Sequence, residues 1–208
     1  MFFNKLFNLS KSDIKYIFSL LFSDKSSVLG ESNEAIKNIQ WQLMKKFASL
    51  YPDDPAVFSP LYLNVLVLKT GEAIYVPSGV LHAYISGLGV ELMTASDNVL
   101  RGGLTPKYVD INELMNTLKF ESFYPEVISS SPYFTPCNEF LLVKISSEND
   151  ELYRLKGPSI CIVTEGELLL NEFTFNKGES FYISEADEPL NFKGDYSLFA
   201  AVSCNDKT

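Results

Sequence analysis

The single histidine of the chain, His82, is the side chain whose chemistry is easiest to place. It closes the spacing G-x5-P-x-G-x2-H, in which the other fixed positions are Gly71, Pro77 and Gly79. Glycine and proline at these positions predict two tight turns around a short strand, with the imidazole after the second turn pointing into a β barrel. An imidazole there suits a divalent metal. Alone, the pattern also fits a hydrogen-bonded core histidine, which is the commoner role of a lone histidine in a barrel.

The same spacing resembles the second motif of the cupin superfamily, and its surroundings resemble one family within it. From Phe58 to Leu114 the sequence is similar to type I mannose-6-phosphate isomerases, most tellingly in SDNVLRGGLTPK, residues 96–107. The resemblance implies a zinc-dependent, cupin-fold enzyme of which this chain is the C-terminal part. It further implies interconversion of mannose 6-phosphate and fructose 6-phosphate, by proton transfer between C1 and C2 through an enediol(ate) with zinc as Lewis acid.

The family assigns roles to matching positions. His82 matches a zinc ligand, Arg101 in the Arg-Gly-Gly turn matches a catalytic arginine, and Lys107 matches a lysine that binds the substrate phosphate. A guanidinium there would stabilise negative charge on an enediolate or hold the phosphate. Three further residues fall near the substrate pocket by the same match: Tyr84, Glu91 and Asp97.

Structural roles are the alternatives for these polar residues. Arg101 and Lys107 can be ordinary surface cations, although their place in the SDNVLRGGLTPK string argues against it. Glu91 is as well explained by a buried structural carboxylate as by a catalytic one. Asp97, followed by Asn98, is slightly better explained as a turn builder. The general base of the reaction is not identified by the sequence.

The chain departs from the family in its metal ligands. Family members place a Gln-x-His pair and a Glu upstream, whereas here the only upstream glutamines, Gln40 and Gln42, lie in a predicted helix. Zinc sites use three or four protein ligands, so the zinc site is expected to be incomplete and zinc binding weak. We therefore expect a truncated or split gene product, completed by a complementary N-terminal chain. The alternative is a non-catalytic remnant that binds sugar phosphate or a partner chain.

Hydrophobic periodicity divides the chain into a helical segment and two β units. Residues 1–55 show helical stripes, first at Ile14, Ile17, Phe18 and Leu21, then at Ile36, Ile39, Leu43, Phe47 and Leu50. Residues 56–120 predict consecutive strands of a partial catalytic barrel, with a short helix capped by Asp110. Residues 128–205 predict a smaller barrel, with a turn at Gly166 separating two of its strands. The fold class is thus mainly β, with cupin-like jelly-roll barrels after an N-terminal helical segment.

The second β unit repeats the layout of the first without its histidine. Counting from Gly178, the motif offsets fall on Ser184, Ala186 and Pro189. We therefore expect this unit to be structural rather than metal-binding.

The composition limits which binding partners and which cellular compartment are expected. The formal net charge of −9 disfavours nucleic acid, whose binding depends on phosphate contacts with many cations. A small sugar phosphate needs only a few local cations. No apolar run is long enough for a membrane span. Three scattered cysteines, at 137, 161 and 204, form no framework of disulfides or zinc thiolates, and this favours a cytoplasmic protein.

Overall fold

Helices form the first part of the chain. The computed structural model describes residues 2–23, 34–96, 98–148, 155, 158–184 and 190–204. Helices α1 (Phe2–Phe7), α2 (Lys11–Ser23) and α3 (Glu34–Leu50) precede a 3₁₀ helix, Pro55–Leu61, and α4 (Ile111–Thr117) follows later in the chain. Helix α2 begins at a reciprocal capping box, in which the Asp13 N–H donates to Ser10 Oγ over 3.1 Å and the Ser10 N–H donates to Asp13 Oδ2 over 3.2 Å.

The helices share one hydrophobic core with the 3₁₀ helix. The stripe predicted for α2 is confirmed, since Ile14 and Leu21 are buried and Ile17 and Phe18 pack beside them. The stripe predicted for α3 is right in part. Phe47 is buried and Leu43 packs beside the core, whereas Ile39 and Leu50 are exposed and the buried face also carries Trp41 and Met44. The difference arises at Trp41, whose ring meets Phe22 of α2 edge to face with centroids 4.8 Å apart.

The strands predicted from Leu61 onward are mostly not formed. Among the described residues between Leu61 and Asp110, regular strand is confined to β1 (Ala73–Ile74), which pairs antiparallel with β2 (Val127–Ile128). A strand needs a neighbour for its backbone N–H and C=O groups, and propensity alone does not supply one. The short helix is confirmed, because the Asp110 side chain accepts from the Glu113 N–H over 3.0 Å at the start of α4.

The C-terminal part of the chain is a five-stranded antiparallel sheet. Its strands are β3 (Phe140–Ser146), β4 (Ser159–Leu170), β5 (Phe173–Asn176), β6 (Ser180–Ile183) and β7 (Phe192–Ser203). The order is β3-β7-β4-β5, and β6 also pairs with β4. Alternate residues along β7, Tyr196, Leu198 and Ala200, enter a core with Val143 of β3 and Val163 of β4, so period-2 patterning positions this core.

The predicted turn at Gly166 is wrong. Gly166 lies inside the 12-residue strand β4, which continues through it to Leu170. The β4–β7 register shifts between Val163 and Glu165, and Gly166 has φ 69°. A Cβ on Gly166 would overlap the carbonyl oxygen of Asp195 on β7. The glycine therefore marks a bulge where two backbones approach closely, rather than a chain reversal.

One turn occurs twice. In the turn Lys69–Glu72, the Glu72 N–H donates to Lys69 O over 3.0 Å and the Glu72 carboxylate accepts from the Lys69 N–H over 2.7 Å. In Asn176–Glu179, the corresponding distances are 2.9 Å and 2.6 Å. The third residues of the two turns are the glycines from which the two motif offsets were counted. The internal correspondence between the β units is therefore present in atomic detail at this turn.

The chain divides into two compact units. The helical unit comprises the described residues of Met1–Val67, Val76–Ile85 and Asp97–Pro125. The sheet unit comprises those of Leu68–Tyr75, Ser86–Ser96 and Glu126–Thr208. The boundaries predicted from sequence, 1–55, 56–120 and 128–205, stay predictions.

Candidate functional site

His82 lies in the helical unit with its side chain exposed, rather than enclosed by a barrel. Its Nδ1 is 3.0 Å from Val80 O. Because a carbonyl oxygen only accepts, Nδ1 carries the proton in this contact, and Nε2 carries the lone pair that a metal ligand needs. The ring of Tyr84 meets the imidazole edge to face, with centroids 6.0 Å apart. The sequence placed these two residues together, and the structure does so as well.

The described residues do not make up a zinc site. Within them, no group of three or more His, Cys, Asp or Glu side chains is arranged to hold a metal ion. Zinc sites in proteins use three or four ligands, and His82 supplies one. Cys161, a soft donor by type, lies in the core of the sheet unit, where burial raises the pKa of its thiol to about 12. Its sulfur is therefore protonated and enclosed, which is the wrong state for a ligand.

The Arg-Gly-Gly turn packs closely against two other segments of the helical unit. A Cβ on Gly102 would lie 2.6 Å from Leu81 Cδ2, so the turn presses on the residue preceding His82. Gly103 has φ 117°, and its α-carbon lies against the Ala56 side chain. Gly103 has no room for a larger residue, whereas at Gly102 the Leu81 side chain would have to shift. The Gly102–Leu81 contact places the turn that carries Arg101 next to the segment that carries His82.

The residue after the two glycines is held by a carboxylate. Leu104 has φ 53°, a left-handed conformation that costs a non-glycine residue roughly 1–2 kcal/mol. Its N–H donates to Asp54 Oδ2 over 2.6 Å. Arg101 and Lys107 are both exposed, and the Lys107 N–H donates to Thr105 Oγ1 over 3.1 Å. The two cations therefore extend from a turn whose backbone is fixed.

For the remaining predicted site residues, the structure gives little beyond their exposure. Glu91 is exposed in the sheet unit, so the alternative of a buried structural carboxylate is wrong. Asp97 lies outside the described residues, as do Ala186 and Pro189 of the second unit. Ser184 is half-buried.

Sequence reasoning missed Asp54. The Asp54-Pro55 dipeptide is a typical helix start, and Asp54 indeed caps the 3₁₀ helix by accepting from the Ala56 N–H over 2.8 Å. That signal was available in the sequence. The bond to Leu104, 50 residues away, has no local signature.

Comparisons with known proteins show which family the chain is similar to. Mannose-6-phosphate isomerase of Escherichia coli strain K12 is 33% identical over 187 residues, 82% of this chain and 48% of the relative. A probable mannose-6-phosphate isomerase of Dictyostelium discoideum is 36% identical over 167 residues, 71% of this chain and 37% of the relative. The Salmonella typhimurium enzyme, solved with substrate (f6p) and zinc, is 30% identical with TM-score 0.71, covering 97% of this chain and 53% of that one. No family model matches the chain.

The chain is a homologue of the mannose-6-phosphate isomerases. It spans about half the length of the curated relatives it matches. Its fold is mainly β with helices, and it matches the cupin fold of the phosphomannose isomerases with TM-scores of about 0.7. Of the helices described, none has the length and apolar character to cross a membrane.

Proposed function

We propose that this chain serves as the C-terminal part of a mannose-6-phosphate isomerase that interconverts mannose 6-phosphate and fructose 6-phosphate. Arg101 and Lys107 bind and stabilise the sugar phosphate, and the match to the family assigns Tyr84, Glu91 and Asp97 to substrate binding as well. His82 is one ligand of a zinc site whose other ligands come from a complementary N-terminal chain. The observation that carries the proposal is the contact of Gly102 with the Leu81 side chain, which places the arginine-bearing turn next to the histidine-bearing segment.

The chemistry assigned to this chain's own residues is electrostatic. Aldose–ketose isomerisation through an enediolate places negative charge on sugar oxygens, and the substrate phosphate adds more. Arg101 offers a planar, permanently charged group with forked donors, and Lys107 adds a second cation. Their turn is held by backbone packing before substrate arrives, so little reorganisation is needed when charge develops. Nothing among the described residues identifies the general base.

Exposed apolar side chains on the helical unit support the proposal of a partner chain. Val67, Val99 and Tyr108 are large apolar side chains that are more than half exposed. The segments that carry them are without regular strand pairing among the described residues. Relatives contain about as much chain again. A complementary chain that covered these side chains would remove apolar surface from water and supply zinc ligands in one step.

A complementation assay tests the function. The chain is co-expressed with the N-terminal half of the Escherichia coli relative, and isomerisation is measured for the parent, Arg101→Ala, Arg101→Lys and Lys107→Ala. Loss of one positioned donor is expected to reduce turnover by about 10²–10³ in Arg101→Ala, with incomplete recovery in Arg101→Lys. Lys193→Ala, an exposed cation of the sheet unit, is the matched control and should keep full activity. Equal rates in all variants would remove Arg101 from the mechanism.

A non-catalytic role is the second candidate, favoured by the lack of a metal-holding group among the described residues. In that case co-expression with an N-terminal half does not restore isomerisation. The chain alone then binds fructose 6-phosphate weakly, in a manner that depends on Arg101. The complementation assay separates the two candidates, and NMR titration of the chain with fructose 6-phosphate tests the binding that the second candidate requires. The spread of free thiols also leads us to propose a cytoplasmic location.

A further inference from the structure

The Asp54 carboxylate makes two bonds to two different parts of the helical unit. Oδ1 accepts from the Ala56 N–H over 2.8 Å, and Oδ2 accepts from the Leu104 N–H over 2.6 Å. The backbone of Asp54 is fixed on both sides. Its N–H donates to Tyr51 O over 3.1 Å, and its carbonyl accepts from the Val57 N–H over 3.2 Å. The Asp54 side chain thus joins the 3₁₀ helix to the Arg-Gly-Gly turn, while its backbone N–H is bonded to the residue that follows α3.

The bond to Leu104 compensates for an unfavourable backbone. Gly103 and Leu104 both have positive φ, and Leu104 is not a glycine. A charged acceptor forms shorter and stronger hydrogen bonds than a neutral one, so Asp54 is suited to hold this conformation. Gly103 has its α-carbon against both Ala56 and Asp54, which prevents the turn from moving inward. Without the bond, Leu104 would relax toward negative φ and move the backbone that carries Arg101.

We propose that Asp54 is a positioning residue for the isomerase reaction, fixing the Arg-Gly-Gly turn so that Arg101 meets the sugar phosphate. It acts through the backbone of Leu104 and does not touch substrate. The inference rests on the proposed function for its kinetic consequence only, because the coupling between Asp54 and the turn is a property of the chain itself.

A simple helix cap is the competing role, and α4 supplies a matched comparison. Asp110 also caps a helix, accepting from the Glu113 N–H, and among the described hydrogen bonds its side chain makes no bond to a distant segment. Asn at either position keeps one oxygen acceptor. In Asp54→Asn the second position becomes an NH₂ group, which cannot accept from the Leu104 N–H. In Asp110→Asn the cap is retained and nothing else changes.

The experiment combines amide exchange with kinetics. In the ¹⁵N-labelled full chain, we expect exchange of the Leu104 amide to be at least about tenfold faster in Asp54→Asn and unchanged in Asp110→Asn, with the Arg101 Nε–H resonance shifted only in Asp54→Asn. In the complemented enzyme, Asp54→Asn should lower kcat about 100-fold with KM changed less, since small misplacements have effects of that size. Asp110→Asn should stay within about twofold.

Three results would overturn the proposal: equal Leu104 exchange in the two variants, an unshifted Arg101 resonance, or faster exchange with kcat unchanged. Failure of the proposed function is distinguishable, because the parent pair would then show no isomerisation while the exchange and resonance measurements still decide the coupling. If Asp54→Asn does not fold, Asp54→Ser keeps a helix cap but its single short hydroxyl cannot serve both N–H groups, so it replaces Asn in every measurement.

Discussion

Tyr62 connects the aromatic cluster of the N-terminal helix to Asp54. Its ring meets Phe3 edge to face at 5.1 Å and Phe2 at 6.3 Å. Burial, and then the negative charge of Asp54, raise the pKa of Tyr62 above its ordinary value of 10.0. A group whose folded pKa is raised contributes stability below the unfolded pKa and loses it as pH rises through the folded one. The helical unit should therefore lose stability at alkaline pH as Tyr62 ionises.

This gives a prediction for unfolding between about pH 9 and 11.5. Tyr62→Phe should make the urea midpoint of the helical unit less sensitive to pH over that window than it is in the parent. Trp41 is the sole tryptophan and lies in the helical core, so its fluorescence follows this unit alone. Tyr124→Phe, at an exposed ring of the same unit, is the control and should behave as the parent does. Identical pH dependence in all three proteins would contradict the assignment.

At the level of side chains, sequence motifs predicted which candidate residues lie near one another better than which contacts hold them. His82 and Tyr84 are neighbours, and Gly102, next to Arg101, contacts the side chain of Leu81, next to His82. These residues stand in motifs with fixed spacing. Asp54 was not found, because its second partner is set by how two distant segments pack and not by any local pattern.

Among the elements, strands were predicted correctly where the chain contains their neighbours. The C-terminal sheet pairs β3 to β7 with one another, and strands were expected throughout this region, although the break expected at Gly166 lies inside β4. Between Leu61 and Asp110, β-branched and aromatic residues predicted strands that remain unpaired except at β1. Side-chain pattern reports which residues favour extended backbone, but a sheet forms only when a neighbouring strand accepts the hydrogen bonds.

Strand β4 provides a prediction about its internal glycine. Gly166→Ala incurs about 1–2 kcal/mol for left-handed backbone and about 1–3 kcal/mol for overlap with the Asp195 carbonyl. Gly178→Ala, at φ 90° with no atom within 4 Å of the added methyl, should incur the backbone cost alone. Urea unfolding followed by far-ultraviolet circular dichroism measures both. A smaller loss in Gly166→Ala than in Gly178→Ala would mean that β4 and β7 separate easily at the bulge.

At the scale of the whole molecule, the described residues form two hydrophobic cores and include no group of side chains that could hold a metal ion. One core belongs to the helices and the 3₁₀ helix, and the other lies within the sheet unit. The chain superimposes over 97% of its length on a phosphomannose isomerase while matching 53% of it. The two units therefore correspond to about half of that relative, and the proposed metal site at His82 would need ligands beyond those the described residues offer.

The expected zinc affinity follows from the shortage of metal ligands among the described residues. The chain alone should bind zinc weakly, roughly 10³-fold or more below the complemented pair, because a single imidazole cannot complete tetrahedral coordination. Calorimetric titration of the chain, of His82→Ala and of the complemented pair measures this difference. The chain and His82→Ala should be nearly indistinguishable alone. Tight, one-to-one binding by the chain that disappears in His82→Ala would disprove the expectation.

The turn shared by Lys69–Glu72 and Asn176–Glu179 bears on the ancestry of the chain. Both copies keep the glycine and the glutamate whose carboxylate closes the turn. Eleven residues beyond the glycine, one copy has His82 and the other Pro189. Such a pattern is expected of a gene segment that was duplicated and then diverged, with folding requirements inherited by both descendants and the histidine by one. Exchanging the two four-residue turns should accordingly leave the sheet unit, which contains both, folded.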